Sequence, residues 1–467
     1  MPAHTHSSGP DTDVPVDPSA VARRRRAVRL MMYLLVPVAL ATVLGLVVLW
    51  PAGEQSAAQQ AAEQYFPPGQ TYPQATVVSL ETYDCSEDAG RPRECGTAVM
   101  NVSEGASAGD FVRIDLPAEV VNVGVEVGDE FVLTRDPALD GGQPSYAFQD
   151  FARGAPIVVL ALAFALIVGA VARLRGLRAL VGLGFAFAVL LQFMLPALLD
   201  GGPPIWVSLT GSSAIMFVVL YLAHGFSART TTALVGTLFG LALSAALGAV
   251  AVAAARLLGF NNEATIQLLT FDPTLDFSGL VLAATVVAGL GILNDVTITQ
   301  ASSVWQLHEA APDAGWRDLY RRGMAIGRDH IASTVYTIVF AYAGAALPLL
   351  LLFELYQRPF WVVLTGAEVG EEVIRTLVGG IALVLAVPVT TLVGALVATA
   401  ASSAAPAAQP PVEPTPVRRR PAEATAGPTQ VRRPPAEAPG PASRPATSAW
   451  RHPKLDPGGP AGPRGPR

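Results

Sequence analysis

The chain has 467 residues, 51% hydrophobic and 15% charged, with a formal net charge of −6 and a mean hydropathy of +0.42. A soluble protein carries about 25% charged residues, and the shortfall here is concentrated in long uncharged stretches. This excludes a single soluble globular domain and predicts a mainly α, polytopic membrane bundle with one soluble insert and two soluble tails.

Residues 1–29 read as a disordered, basic cytoplasmic N-terminus, rich in Pro, Ser and Ala and too poor in apolar surface to offset chain entropy. The first span, Leu30 to Trp50, follows Arg23-Arg24-Arg25-Arg26 and Arg29. Lys and Arg excess marks the cytoplasmic side, so the N-terminus is inside. The apolar core is longer than the roughly 7–15 residues of a signal peptide, and no A-x-A pattern follows Trp50. The segment is therefore expected to stay as an anchor. Lys occurs once, at Lys454, and Arg supplies the other positive charges, a bias of GC-rich bacterial genomes. The expected location is a bacterial plasma membrane.

Residues 51–154 are expected outside. Short β-type runs recur there: Ala75-Thr-Val-Val-Ser-Leu, Ala98-Val-Met-Asn-Val, Phe111-Val-Arg-Ile-Asp-Leu and Glu130-Phe-Val-Leu-Thr, separated by turns such as Val127-Gly-Asp-Glu. Such spacing predicts a small extracytoplasmic β-barrel or sandwich. The two cysteines, Cys85 and Cys95, both fall in this insert, where the compartment permits a disulfide. The insert has 17 acidic residues and 5 arginines, a balance of −12. That surface either concentrates cations near the membrane or only keeps the domain soluble.

Residues 155–401 are read as a seven-span membrane domain. Its spans are Pro156 to Ala172, Ala179 to Leu199, Pro204 to Ala223, Thr231 to Ala255, Ser278 to Ser302, Ile331 to Phe353 and Leu377 to Ala400, each near the ~20 residues a crossing helix needs. With the anchor they make eight, N-in and C-in. Alternation then puts Arg173, Arg175 and Arg178, Arg229, and Arg317 to Arg328 inside, and the uncharged-to-acidic loop Asp200-Gly-Gly-Pro-Pro outside. The fifth span carries Gly236, Gly240, Ser244 and Gly248, a small face on which another helix can pack closely. The Pro- and Arg-rich tail, 402–467, with ten basic and four acidic residues, is expected disordered in the cytoplasm.

The sixth span contains Asn294-Asp295 with no turn signal. A carboxylate at bilayer depth costs roughly 3 kcal/mol on insertion scales, so it is expected to face a partner or a wet path. A stretch from Ser303 to His330, spaced like a helix lying on the membrane surface, leads to the polar opening of the seventh span. Antiparallel packing would set Asn294, Asp295 and Thr299 near Arg328, Asp329, His330, Thr334 and Thr337. In one reading Asp295 exchanges a proton or binds a cation, and Arg328 or His330 responds. In the other, Asp295 and Arg328 form a fixed ion pair and Asp329 complements a helix N-terminus.

No soluble-enzyme signature is present: no Gly-x-x-x-x-Gly-Lys loop, no His-Glu-x-x-His, no Cys-x-x-Cys. Gly289-Leu-Gly291 is not contiguous with Asp295, as the motif of an intramembrane aspartyl protease would be. No enzymatic activity, metal site, cofactor or nucleic-acid partner is expected. The expected partners are the lipid bilayer, an unknown small solute or ion, and either a second copy of the chain or a cell-envelope protein.

The stretches Gly291-Ile-Leu-Asn-Asp295-Val-Thr-Ile-Thr-Gln-Ala-Ser-Ser, Gly323-Met-Ala-Ile-Gly-Arg-Asp329, Ser333-Thr-Val-Tyr-Thr and Ala341-Tyr-Ala-Gly344 resemble the YibE/F family of bacterial membrane proteins over roughly residues 70–400. The resemblance implies a multi-span protein of permease type and brings no substrate or catalytic residue. A span, an outer domain and a Gly-rich acidic span also look like half of a resistance-nodulation-division transporter, although such a half has six spans and a larger outer domain. The leading expectation is a permease or secondary transporter coupled through Asp295. The alternative is a non-transporting scaffold whose outer domain binds a partner.

Overall fold

A computed structural model describes residues 18–402, apart from 54–55, 64, 66–68, 87–92, 139–141 and 262. The tail expected to be disordered, 403–467, and residues 1–17 lie outside the described residues. The molecule is mostly helical, with a small β sheet near its N-terminal end.

Helix α1, Pro18–Val48, begins well before Leu30. The expectation that all of residues 1–29 is unstructured is corrected for 18–29. Ala and Arg are good helix formers, and the apolar helix beyond them supplies the nucleus from which they propagate. Met31, Leu35 and Thr42 are buried, and α1 lies against α6, Pro204–His224, and α13, Ala367–Ser402. The anchor is thus part of the bundle.

A short helix α2, Ala57–Ala62, precedes the sheet and is closed by a capping box between Ser56 and Gln59. The strands are β1 Gln74–Asp84, β2 Glu94–Val102, β3 Phe111–Leu116, β4 Glu130–Asp136 and β5 Ser145–Phe151. They pair antiparallel in the order β3-β2-β1-β4-β5, with helix α3, Ala118–Val121, between β3 and β4. Three strands in succession with a fourth returning beside the first make a Greek key. The edge strands β3 and β5 approach, so the sheet nearly closes on itself. Alternation does the rest: Ala75, Val77, Ala98, Met100, Ile114, Leu116, Phe131 and Leu133 point inward and are all but inaccessible. Phe131 also meets Phe148 and Phe151 edge-on, which seats β5. At the turn after Val127, Gly128 has a φ of 105° while its N–H donates to the Val77 carbonyl, a conformation that suits glycine. Cys85 and Cys95 are joined by a disulfide at the end of the β1–β2 hairpin, with Cα atoms 5.7 Å apart. Beside it the Ser86 hydroxyl and amide donate to Asp84 and hold that carboxyl below its usual range.

The membrane part follows. Helix α4, Gly154–Val189, continues through a π-helical turn, Leu190–Met194, into α5, Leu195–Leu199. This 46-residue stretch would be about 69 Å long if straight, twice the ~30 Å hydrocarbon core. It is not straight. Arg173 has φ 55° and ψ −138°, and a Cβ on Gly176 would lie 2.6 Å from the Val168 carbonyl oxygen. Residues eight apart in a straight helix are about 12 Å apart, so the chain folds sharply where the second and third spans were expected to separate. Then come α6, α7 (Ala228–Ala255), α8 (Glu263–Phe271), α9 (Phe277–Ala310), α10 (Trp316–Ala345), α11 (Leu347–Tyr356), α12 (Phe360–Leu364) and α13. The Ser227 side chain caps α7 through the Thr230 N–H, and Asp276 caps α9 through the Gly279 N–H.

Among the described residues, six helices are long and apolar enough to cross a membrane, or seven if α10 and α11, bent by 66°, form one span. The Gly154–Leu199 stretch enters that number as one helix although it folds at Arg173, where two spans were expected. The bend between α10 and α11 falls just before Pro348, which lacks the N–H that would continue the ladder. The expected surface helix is corrected: α10 runs unbroken from Trp316 through His330 to Ala345.

The segment after α1, the α5–α6 loop, α8 and the head of α13 gather at one end of the bundle. The Ala52 N–H donates to Asp200 (3.3 Å), the Tyr65 ring meets Phe271, and the Asn261 amide donates to Glu371 (3.1 Å). At the other end Val304, Leu319, Ala395 and Ala398 close a small apolar cluster around the α9–α10 turn.

Candidate functional site

Three helices, α7, α9 and α13, make the centre of the bundle, with α10 lying against α9 and α13. The small face of α7 explains the closeness. A Cβ on Gly236 would run into the Thr390 hydroxyl, one on Gly240 would lie 2.5 Å from Leu293, and one on Gly248 would lie 2.7 Å from Leu282. Ser244 lies over Gly289. All four predicted packing residues are buried and face neighbouring helices.

Polar side chains line the same contact. The Thr237 and Thr297 hydroxyls are 2.6 Å apart, fully buried, across α7 and α9. The Gln300 amide, 2% exposed, donates to the Gly323 carbonyl on α10 (2.9 Å) and to the Thr391 hydroxyl on α13 (2.7 Å). Gly327 leaves room for that amide: a Cβ there would stand 3.1 Å from its nitrogen. Thr390 and Thr391 are fully buried and return their own hydroxyls to carbonyls one turn back. Several buried polar atoms have no hydrogen-bond partner among the described residues, including the hydroxyls of Thr232 and Ser244, the Asn294 Oδ1 and the His330 Nε2. From Thr232 to Ser244 this polar seam covers roughly 18 Å along α7.

The predicted constellation around Asp295 does not assemble. Asp295 and Thr299 are exposed, on the side of α9 turned away from Gln300. Arg328 and Asp329 are exposed on α10. No ion pair joins Asp295 to Arg328 among the described residues. Residues five apart on a helix point about 140° apart, so the seam and Asp295 occupy different faces. Asp329 lies deep inside α10, whose N-cap is Gly315, and Asp318 occupies the first turn. The helix-dipole role expected for Asp329 is therefore withdrawn. Thr334 and Thr337 donate to the carbonyls of His330 and Ser333. Of the predicted set, Asn294 and His330 are the half-buried members with unpartnered buried atoms.

A second charged group went unread in the sequence. At the opposite end of α13, Arg375 donates to Glu371 (2.8 Å) and Glu372 (2.5 Å), with all three side chains less than a third exposed. Two carboxylates against one guanidinium leave a net negative charge. Beside them Tyr342, Glu368, Glu372 and Thr376 line part of a cavity of about 580 Å³. The signal was Glu371-Glu372 and Arg375, spaced i,i+3 and i,i+4 at the head of an apolar helix. Gln300 carried a signal too, three residues from Thr297 on one face.

No curated protein and no solved structure matches the chain. The family match begins well after the position 70 expected from the sequence, so the β sheet and α1 lie outside it. The model described as YibE/F-like protein covers residues 160–400, more than half of the chain and the whole of the seam, and the chain belongs to the YibE/F-like family.

Proposed function

We propose that the protein is a permease of the bacterial plasma membrane, with both termini cytoplasmic, that moves a small cation or polar amine along the seam between α7, α9, α10 and α13. One observation carries the reading: buried polar atoms of Thr232, Ser244 and Asn294 stand in a helical core without partners among the described residues. Leaving such a group unpaired costs about 1–3 kcal/mol, and lipid-embedded helices can pack with apolar residues alone. A path that opens and closes gives these atoms partners in another state. The acidic cluster of Glu368, Glu371 and Glu372 at one end then forms the mouth, and its net charge favours cations. Coupling through Asp295, the sequence-based expectation, draws no support from a side chain turned away from the seam, and the proposal does not use it.

The test is flux. Purified protein in liposomes, under an imposed pH or sodium gradient, is offered a panel of alkali cations and small alkylamines. Protein-dependent uptake of at least one, reduced by Glu372→Gln, is the expected result. No uptake across the panel by folded wild-type protein would contradict it.

A further inference from the structure

The side of α9 that leaves Asp295 exposed has a physical problem that the monomer does not solve. Asp295 lies in the middle of a 34-residue apolar helix and has no ion-pair partner among the described residues. A lone carboxylate facing lipid there is strongly disfavoured. Arg328, exposed on α10, is in the same position. The two stand at one depth: Gln300 bonds to Gly323 and is flanked by Gly327, and five residues further from the α9–α10 turn on each helix lead to Asp295 and to 328–332.

Equal depth matters. Two copies inserted in the same orientation can be related only by a twofold axis along the membrane normal, so residues pair across it only with residues at their own level. A twofold contact is also reciprocal. Small residues flank the carboxylate: Gly291 has nothing within 4 Å of a Cβ position, and exposed Thr299 sits one turn the other way. Such a face lets another helix come close.

We infer that the α9–α10 face binds a second copy of this chain, with Asp295 of each protomer against Arg328 of its partner. The inference stands apart from the transport proposal, since it concerns the face turned away from the seam.

The test uses the full chain in lipid nanodiscs and detergent, with mass measured by light scattering and mass photometry. Wild-type protein is expected to be dimeric. Asp295→Arg alone and Arg328→Asp alone should each weaken association by about tenfold or more, the range of close interfacial charge pairs. The double reversal should restore it. A second arm needs no tolerance of reversed charge: the Asp295→Cys, Arg328→Cys double variant in native membranes should give an oxidation-dependent species of twice the mass, whereas Phe164→Cys should not. A monomeric wild type, a dimer indifferent to either reversal, or a bridge formed within one chain would overturn the inference.

Discussion

Gly236→Ala should destabilise the bundle by about 1–3 kcal/mol, the usual cost of overpacking, and should reduce the amount of folded protein recovered from membranes. The added Cβ has no room, because it meets the Thr390 hydroxyl and stands 3.3 Å from Thr297 Cγ2. Thr390 cannot swing aside cheaply, since its hydroxyl is bonded to the Ala386 carbonyl and the residue is fully buried. Gly184→Ala supplies the contrast. Gly184 is an exposed helical glycine with nothing within 4 Å of a Cβ, so alanine there should stabilise by up to about 1 kcal/mol through lower backbone entropy of the unfolded chain. Thermal unfolding of both variants in one detergent checks the pair. Equal shifts in the same direction would mean that α7 and α13 are not packed this closely.

Gln300→Leu should leave the bundle folded and abolish flux. The amide bridges α9 to α10 and α13 by two bonds. Interhelical bonds in membranes average about 0.6 kcal/mol, so their loss lowers stability by roughly 1 kcal/mol. Neither acceptor is stranded: Thr391 still donates to Val387, and Gly323 is inside a helix. Leucine is close in volume, and the site is fully enclosed. The stability cost is thus small while the seam loses the amide that joins three of its helices. Unfolding temperature and liposome flux, measured on the same preparation, separate the two effects. Full flux with an intact fold would remove Gln300 from the path.

Much of the architecture was legible because hydropathy and alternation report on it directly. Uncharged runs of about 20 residues became helices, and the inward positions Ala75, Val77, Ala98 and Met100 follow period two. The spacing of Gly236, Gly240, Ser244 and Gly248 gave the tightest helix contact. Strand β5 was missed, since its Ser145-Tyr-Ala-Phe-Gln-Asp-Phe is short of β-branched residues and held by the aromatic contact of Phe148 and Phe151 with Phe131. The direction of Asp295 was not legible for a deeper reason. In a bilayer the outside of a helix is as apolar as the inside, so an acidic residue among leucines and valines does not reveal which side it faces. Only contacts settle that, and they select Thr297 and Gln300, with Asp295 at another angle. The join between surface and span in α10 was lost similarly: Arg321, Arg322 and Asp318 lower the hydropathy, yet they pair along one helix that never breaks.

Transport along the buried polar seam requires that it open to water. A single cysteine placed at Thr297, in liposome-embedded protein, tests it against a single cysteine at Val286, equally buried on the same helix but among apolar neighbours. Thiol modification needs water and the thiolate. The Thr297→Cys protein should react with a small water-soluble maleimide at least about tenfold faster than Val286→Cys, with both variants folded and otherwise alike. Equal, negligible rates at the two positions would contradict it.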